Sequence, residues 1–325
     1  MLAYIFQRVG QALLTIIVMA SLVFVGVYAI GDPVELLAAP DADDIEKAAI
    51  AARMGLDRPM WEQFVLFISN ALQGDLGRSF VFNEPALLLI LQRMVATLEL
   101  AFVALLIAVV VGLPLGMWAG LKPNSFAGRA IMAGSILGFS LPNFWQGLML
   151  VLVFAVLLGW FPAGGRGETV EFLGVQTSLL TLDGWSHLIL PALNLALFKM
   201  AVVIRLARAG TREVSLQDYV RFARAKGLSP RRVILVHILK NIMIPVVTVL
   251  GLELGSMIAF AVVTETVFAW PGMGKLLIDS ITRLDRPVIV AYLMLTVCLF
   301  VIINLVVDLI YAAIDPRVRL SEQRS

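Results

Sequence analysis

Long apolar runs constrain this chain more than any other feature. A hydrocarbon core of roughly 30 Å is crossed by about 20 apolar helical residues, and only helices or closed barrels satisfy every backbone amide there. Six stretches meet that length, at about 9–30, 95–120, 130–158, 187–207, 242–268 and 287–314. Of 325 residues, 60% are hydrophobic and 15% charged, whereas soluble domains carry about a quarter charged. Mean hydropathy is +0.92. The expectation is an all-α integral membrane protein with six transmembrane helices. The first run follows Arg8, as a signal peptide would, but its apolar part exceeds the roughly 7–15 residues of such a segment. It is read as an anchor that stays.

Basic residues set the direction of the spans. Arg8 precedes the first, Lys122 and Arg129 lie between the second and third, and a dense group from Arg205 to Lys240 separates the fourth from the fifth. Arg317, Arg319 and Arg324 follow the last. With six spans all of these fall on one side, so both termini are expected in the cytoplasm. The other side receives 31–93, which is rich in Asp and Glu, then 159–186 and 269–286. The chain therefore divides into a first transmembrane helix (1–30), an external segment (31–93; periplasmic if the membrane is a bacterial inner one), a five-helix core (94–316) with a cytoplasmic loop at 205–241, and a tail (317–325). Within the external segment, Trp61, Phe64, Val65, Phe67 and Ile68 form an amphipathic pattern closed by Gly74 and Gly77, which predicts a short helix or two.

The chemistry-bearing residues are few. Cys298 is the only cysteine, so an intramolecular disulfide is excluded and a buried inert thiol is expected. His187 and His237 are the only imidazoles, too few for a histidine metal site, and no metal is expected. GMGK at 272–275 lacks the earlier glycine and following Ser or Thr of a phosphate loop, with Ala269 and Leu276 in those places. Intramembrane polar residues are functional suspects: Glu99, Asn194, Lys199, Glu253, Glu265, Asn304 and Asp308. Glu253 and Glu99 are candidates to line a translocation path or to pair across helices. Lys199 and Arg205 are expected to snorkel towards the interface. Asn304 and Asp308 share a helical face suited to interhelical hydrogen bonding. Pro114, Pro142, Pro191 and Pro245 fall in or beside spans and can kink them. Gly112, Gly116, Gly134, Gly138, Gly251 and Gly255 form small-xxx-small pairs that favour close helix packing.

One basic passage interrupts the apolar runs: DYVRFARAKGLSPRR, 218–232. Tyr219, Phe222 and Ala223 have helical spacing, Gly227 is placed to end that helix, and Ser229-Pro230 can start another as N-cap and N1. Two short helices at a bend, with Arg221, Arg224 and Lys226 around an apolar ridge, suit docking into a partner. A solvated loop on anionic headgroups is the plainer alternative.

At these residues the sequence resembles the permease subunits of ATP-binding-cassette (ABC) importers. Their cytoplasmic loop has the pattern Glu-Ala-Ala, three residues, Gly; here Arg221-Phe222-Ala223 precedes Gly227 by three residues, so the Glu and first Ala are absent. The fuller run DYVRFARAKGLSPRRVILVHILKN is similar to permeases for dipeptides, oligopeptides, nickel and glutathione. Agreement extends along the chain through GDP (31–33), MGLDRP (54–59), GDLGRS (74–79), ATLEL (96–100), LPNFW (141–145), LPALNLA (190–196), ETVFAWPGMGKLL (265–277) and NLVVDLIYAAIDPRVR (304–319). The N-terminal part resembles the "B" subunit of such pairs.

The resemblance implies a type I importer permease in a bacterial inner membrane. Its partners would be a second homologous permease, two ATPase subunits, a periplasmic substrate-binding protein and membrane lipid, with no nucleic acid. ATP and Mg would belong to the ATPases; this chain would hold no cofactor and would not be an enzyme by itself. Asp218, Tyr219, Arg221, Phe222, Ala223, Arg224, Ala225, Lys226 and Gly227 would form the coupling loop. Ala223 and Gly227 would make the close contact with an ATPase groove. The solute would be peptide-like. An ion-coupled secondary transporter is the alternative, using the intramembrane carboxylates but needing no docking loop. An intramembrane hydrolase would need a nucleophile and base within the spans, and no such pair stands out.

Overall fold

The computed structural model describes residues 2–29, 34, 43–54 and 57–314, with backbone alone at 2–8, 27–29, 53–54, 244, 252 and 308–314. The GDP at 31–33, part of MGLDRP, the basic tail 317–325 and the side chain of Asp308 lie outside what is described. Helices α1 (Leu2–Ala29), α2 (Asp44–Met54), α3 (Met60–Leu72) and α4 (Ala86–Leu121) come first. Next come α5 (Phe126–Ser140) and α6 (Asn143–Leu150), the latter running on as a π-helical stretch, Val151–Leu157. Strands β1 (Val170–Phe172) and β2 (Val175–Thr177) precede α7 (Leu182–Ser215) and α8 (Asp218–Ala225). A short α9 (Pro230–Arg232) and a second π-helical stretch (Val233–Leu239) lead into α10 (Lys240–Val267). The last elements are α11 (Met273–Thr282) and α12 (Arg286–Ile314).

Among the described residues, four helices are long and apolar enough to cross a membrane, or up to six if each of two bent pairs is one span. The four are α1, α4, α7 and α12. The span expected at 130–158 is broken at Pro142, one of the prolines expected to kink a span, with α5 and the α6 segment meeting at 107°. The cause is Leu141-Pro142: Leu141 is extended (φ −81°, ψ 138°), as a residue before proline prefers. The Gln146 amide then donates to the carbonyls of Gly138 (2.8 Å) and Leu141 (2.9 Å), which the break frees. Helices α4 and α7 outrun expectation. The first begins at Ala86, inside the segment read as external; the second continues to Ser215, into the loop read as starting at 205. At 36 and 34 residues, each is roughly 50 Å long, well beyond a hydrocarbon core of about 30 Å.

The structure is mostly helical, as expected, with one small hairpin that the sequence did not announce. β1 and β2 form an antiparallel hairpin turned at Leu173 and Gly174, both at positive φ (53° and 78°). Two successive left-handed residues are what a two-residue hairpin with native twist requires.

The chain forms two compact units, Met1–Gln92 with Leu277–Val301, and Arg93–Leu276 with Ile302–Ser325. In the first, Phe24 of α1 meets Phe64 and Phe67 of α3 at 5.3 and 5.8 Å between ring centres, so the predicted amphipathic helix exists and its aromatic stripe is used. Asp285 accepts hydrogen bonds from Ser79 Oγ and from the Phe80 amide (3.0 Å), tying GDLGRS to the start of α12. Cys298 is only partly buried.

In the second unit α7 is central, packing on α10, α5 and α6. Its N-terminus is capped by Thr181, whose Oγ1 accepts from the Gly184 amide (2.9 Å). Gly112, Gly116 and Gly120 of α4 form the close seam with α7: a Cβ at Gly116 would sit 2.5 Å from the Ile204 carbonyl oxygen. Gly251 likewise faces Val307, whereas Gly134 and Gly138 meet nothing within 4 Å among the described residues. Val203, Val246 and Leu250 make one buried cluster between the helices.

Candidate functional site

The basic passage folds as α8, a bend, and α9. Gln217 is extended before the helix (φ −69°, ψ 146°), and Asp218 lies in the first turn, where a negative charge suits the helix dipole. The C-terminus closes with paired bonds, Gly227 N to Arg224 O (2.9 Å) and Leu228 N to Ala223 O (3.3 Å), a Schellman motif that needs a left-handed residue. Gly227 supplies it at φ +74°. Ser229 Oγ then accepts from the Arg232 amide (3.4 Å), with Pro230 opening α9. The helix, hinge and second helix lie where their residues predict.

The faces of α8 differ from expectation in one respect. Val220 (0% exposed) and Ala223 (4%) point into the chain's own core with Met117, Val233, Ile238 and Ile242. Ala223 is therefore not available for a partner groove, because Val220 and Ala223, three apart, define the face that seats the helix. Tyr219 (43%) and Phe222 (60%) are exposed instead. Lys226 Nζ stands 4.5 Å from the Phe222 ring centre, and Arg221 lies 3.7 Å from Asp218 in an exposed pair. Among the described residues, nothing would lie within 4 Å of a Cβ at Gly227. The outward surface is two aromatics rimmed by Arg221, Arg224 and Lys226.

Of the two acids singled out for a path, Glu99 is sealed. Its carboxylate accepts from Arg166 Nη2 (2.8 Å), the Ser178 amide (3.1 Å) and Ser178 Oγ (2.9 Å). Arg166 also donates to Gln176 O (2.6 Å). Glu99 thus fastens α4 to the hairpin loop. Glu253 pairs with Lys199 across α10 and α7, and Ser256 Oγ bonds both, at 2.7 Å from Lys199 Nζ and 2.9 Å from Glu253 Oε2. Lys199 does not snorkel, since Glu253 offers its charge a partner at depth. Arg205 is held 4.7 Å from the Phe139 ring centre, a cation–π contact that replaces its expected reach to the interface.

Glu265 is fully buried, accepting from Thr97 Oγ1 (2.6 Å) and the Lys275 amide (2.9 Å). Met273 N donates to Thr97 Oγ1 (2.9 Å), and Trp270 Nε1 to the Ala96 carbonyl (2.9 Å). GMGK is thus a helix start whose amide is already taken by a protein carboxylate, not a phosphate cradle. Asn194 Nδ2 bonds Asn143 Oδ1 (2.7 Å) and Thr264 Oγ1 (3.1 Å), placing a polar knot beside the broken helix.

The partners Lys199, Arg166, Thr97 and Val220 were not legible as such. Mid-helix position was the available signal for Lys199: a lysine so far from either end of α7 calls for a counter-charge or a watery space beside it.

Residues 112–320 match the family described as "binding-protein-dependent transport system inner membrane component". Residues 1–101 match its companion for the N-terminal part of such membrane components. The chain is 41% identical to the di/tripeptide transport system permease protein DppB of Pseudomonas aeruginosa (strain UCBPP-PA14), over 98% of this chain and 99% of that protein. Identity is 38% to the dipeptide permease DppB and 40% to the glutathione permease GsiC, both of Escherichia coli (strain K12), each over 98% of this chain and 99% of the relative. Among solved structures, the inward-facing MetNI methionine ABC transporter matches with TM-score 0.54 and 17% identity, over 71% of this chain and 99% of that one.

Proposed function

Since the chain belongs to the binding-protein-dependent transport system inner membrane component family, as an ABC-importer permease of the dipeptide class, we propose that it forms half of a pore for peptide-like solutes in a bacterial inner membrane. The carrying observation is the end-to-end likeness to relatives named for di/tripeptides, dipeptides and glutathione. Such solutes share a free ammonium and a free carboxylate. The family reading displaces the ion-coupled secondary transporter.

The partners in this proposal are a second homologous permease, two ATPases that hold ATP and Mg, and a periplasmic binding protein that delivers the solute. The chain crosses six times with both termini inside, each bent helix pair counting as one span. α8 rests on an ATPase through Tyr219 and Phe222, while Val220 and Ala223 transmit its movement to α4 and α10. Closure of the ATPases then pulls a helix that is seated in the permease core, and the pore switches between its two facings. Glu253 lines the passage; Glu99 holds its outer loop.

The test is ATP-dependent uptake of radiolabelled dialanine by vesicles holding the four membrane-associated subunits, with binding protein supplied outside. Uptake that persists without the ATPases, or that follows an imposed ion gradient instead of ATP, would remove the importer reading.

A further inference from the structure

On the six-span reading proposed above, Lys199 and Glu253 stand well inside the membrane-spanning parts of α7 and α10. By the rise of an α-helix, Lys199 lies roughly 26 Å from the start of α7 and Glu253 roughly 20 Å from the start of α10. An uncompensated charge at such depth is expensive, so each neutralises the other, with Ser256 Oγ bonded to both. Their access differs: the Lys199 side chain is 7% exposed and that of Glu253 is 27%. Glu99 and Glu265 have no such opening, since both are buried and their oxygens are taken by protein donors.

The wall beside the pair is unlike a lipid-facing one. Phe198 stacks on Phe139 at 4.6 Å and 21°. Lys199 Nζ is 5.3 Å from the Phe198 ring centre, and the Arg205 guanidinium covers Phe139. A partly open surface bearing a carboxylate, an ammonium and a guanidinium belongs on a watery passage rather than against acyl chains.

We infer that the Lys199–Glu253 pair is a reading site for zwitterionic solutes in that passage. A solute with a free ammonium and a free carboxylate exchanges partners with the pair. Its ammonium binds Glu253 beside the Phe198–Phe139 faces, and its carboxylate binds Lys199. No net charge is added to the membrane interior, because one ion pair becomes two. When the solute leaves, Lys199 and Glu253 re-pair, so the empty site is not left with an unpaired charge that would hold the next solute too tightly. A solute lacking either terminal charge leaves one protein charge unpaired and is disfavoured. The inference rests on the importer reading and adds the chemical class that the site selects.

The test reverses the pair. Lys199→Glu with Glu253→Lys keeps an α7–α10 ion pair but exchanges its polarity relative to Ser256 and the Phe198–Phe139 wall. In the complete importer, the reversed pair should retain co-purification of the ATPases. Uptake of radiolabelled dialanine should fall at least about tenfold, the weight of one charge-assisted contact. Glu253→Gln preserves hydrogen bonds to Lys199 and Ser256 and should lower uptake to a similar degree. It decides the matter if the reversed pair does not assemble. Uptake within about twofold of wild type in the deciding variant means the pair only ties helices together, and the inference is overturned. Failure of the wild-type importer to take up dialanine at all removes the peptide reading and this inference together, which is a distinct outcome.

Discussion

Replacing Gly116 by Ala should loosen the α4–α7 seam, and the neighbouring glycines supply the controls. A Cβ at Gly116 would lie 2.5 Å from the Ile204 carbonyl oxygen and 2.7 Å from Ala207 Cβ. Neither can yield alone, because one is helix backbone and the other is fixed to it. At Gly112 the same atom would lie 3.2 Å from Met200 Cγ and from Val203 Cβ and Cγ1; the methionine can turn aside, and Val203 Cβ needs to give by only a few tenths of an ångström. At Gly134 nothing among the described residues lies within 4 Å. In water Ala would regain about 1 kcal/mol of helix propensity over Gly. In a bilayer the helices persist when the bundle separates, so most of that gain cancels. The clash then decides. Overpacking costs about 1–3 kcal/mol, and opening the seam by half an ångström or more forfeits a quarter to a half of each nearby dispersion contact. Gly116→Ala should therefore lower the melting temperature of the detergent-purified chain by about 2–8 °C. Gly112→Ala should lower it less, and Gly134→Ala least. Melting of Gly116→Ala within about a degree of wild type, or a larger loss at Gly112, would refute the reasoning from helix contact.

The two faces of α8 should separate stability from coupling. Val220→Asp places an unpaired carboxylate in an apolar core at a cost of several kcal/mol and should lower the melting temperature of the permease itself, whereas Phe222→Asp should leave melting near wild type yet abolish co-purification of the ATPases. Thr97→Val removes the donor to Glu265 and the acceptor for the Met273 amide, costing about 2–3 kcal/mol; thermal melting should show the loss, and Thr97→Ser should recover most of it.

The membrane character, the apolar runs and the family were carried by the sequence itself, because crossing a bilayer demands a length of apolar helix that composition cannot hide. Local punctuation was equally legible: Gly227 ends α8 with a positive φ, and Ser229-Pro230 opens α9, since caps and left-handed turns are set by the residues that occupy them. The small-residue stripe of α4 was legible as a packing surface, though not which stripe packs within the chain; Gly134 and Gly138 have the same spacing and touch nothing among the described residues. Pairings across helices came only from the tertiary structure. Lys199 meets Glu253, Arg166 meets Glu99 and Thr97 meets Glu265 over separations of 54, 67 and 168 residues. No periodicity encodes such partners, because they depend on how helices rotate and slide against one another. The same holds for α8. Its spacing placed Tyr219, Phe222 and Ala223 together, but packing beneath α4 and α10 decided that Val220 and Ala223 turn inward and the aromatics outward. A helix eight residues long has apolar side chains on more than one face, and burial goes to whichever face the neighbouring core can accommodate.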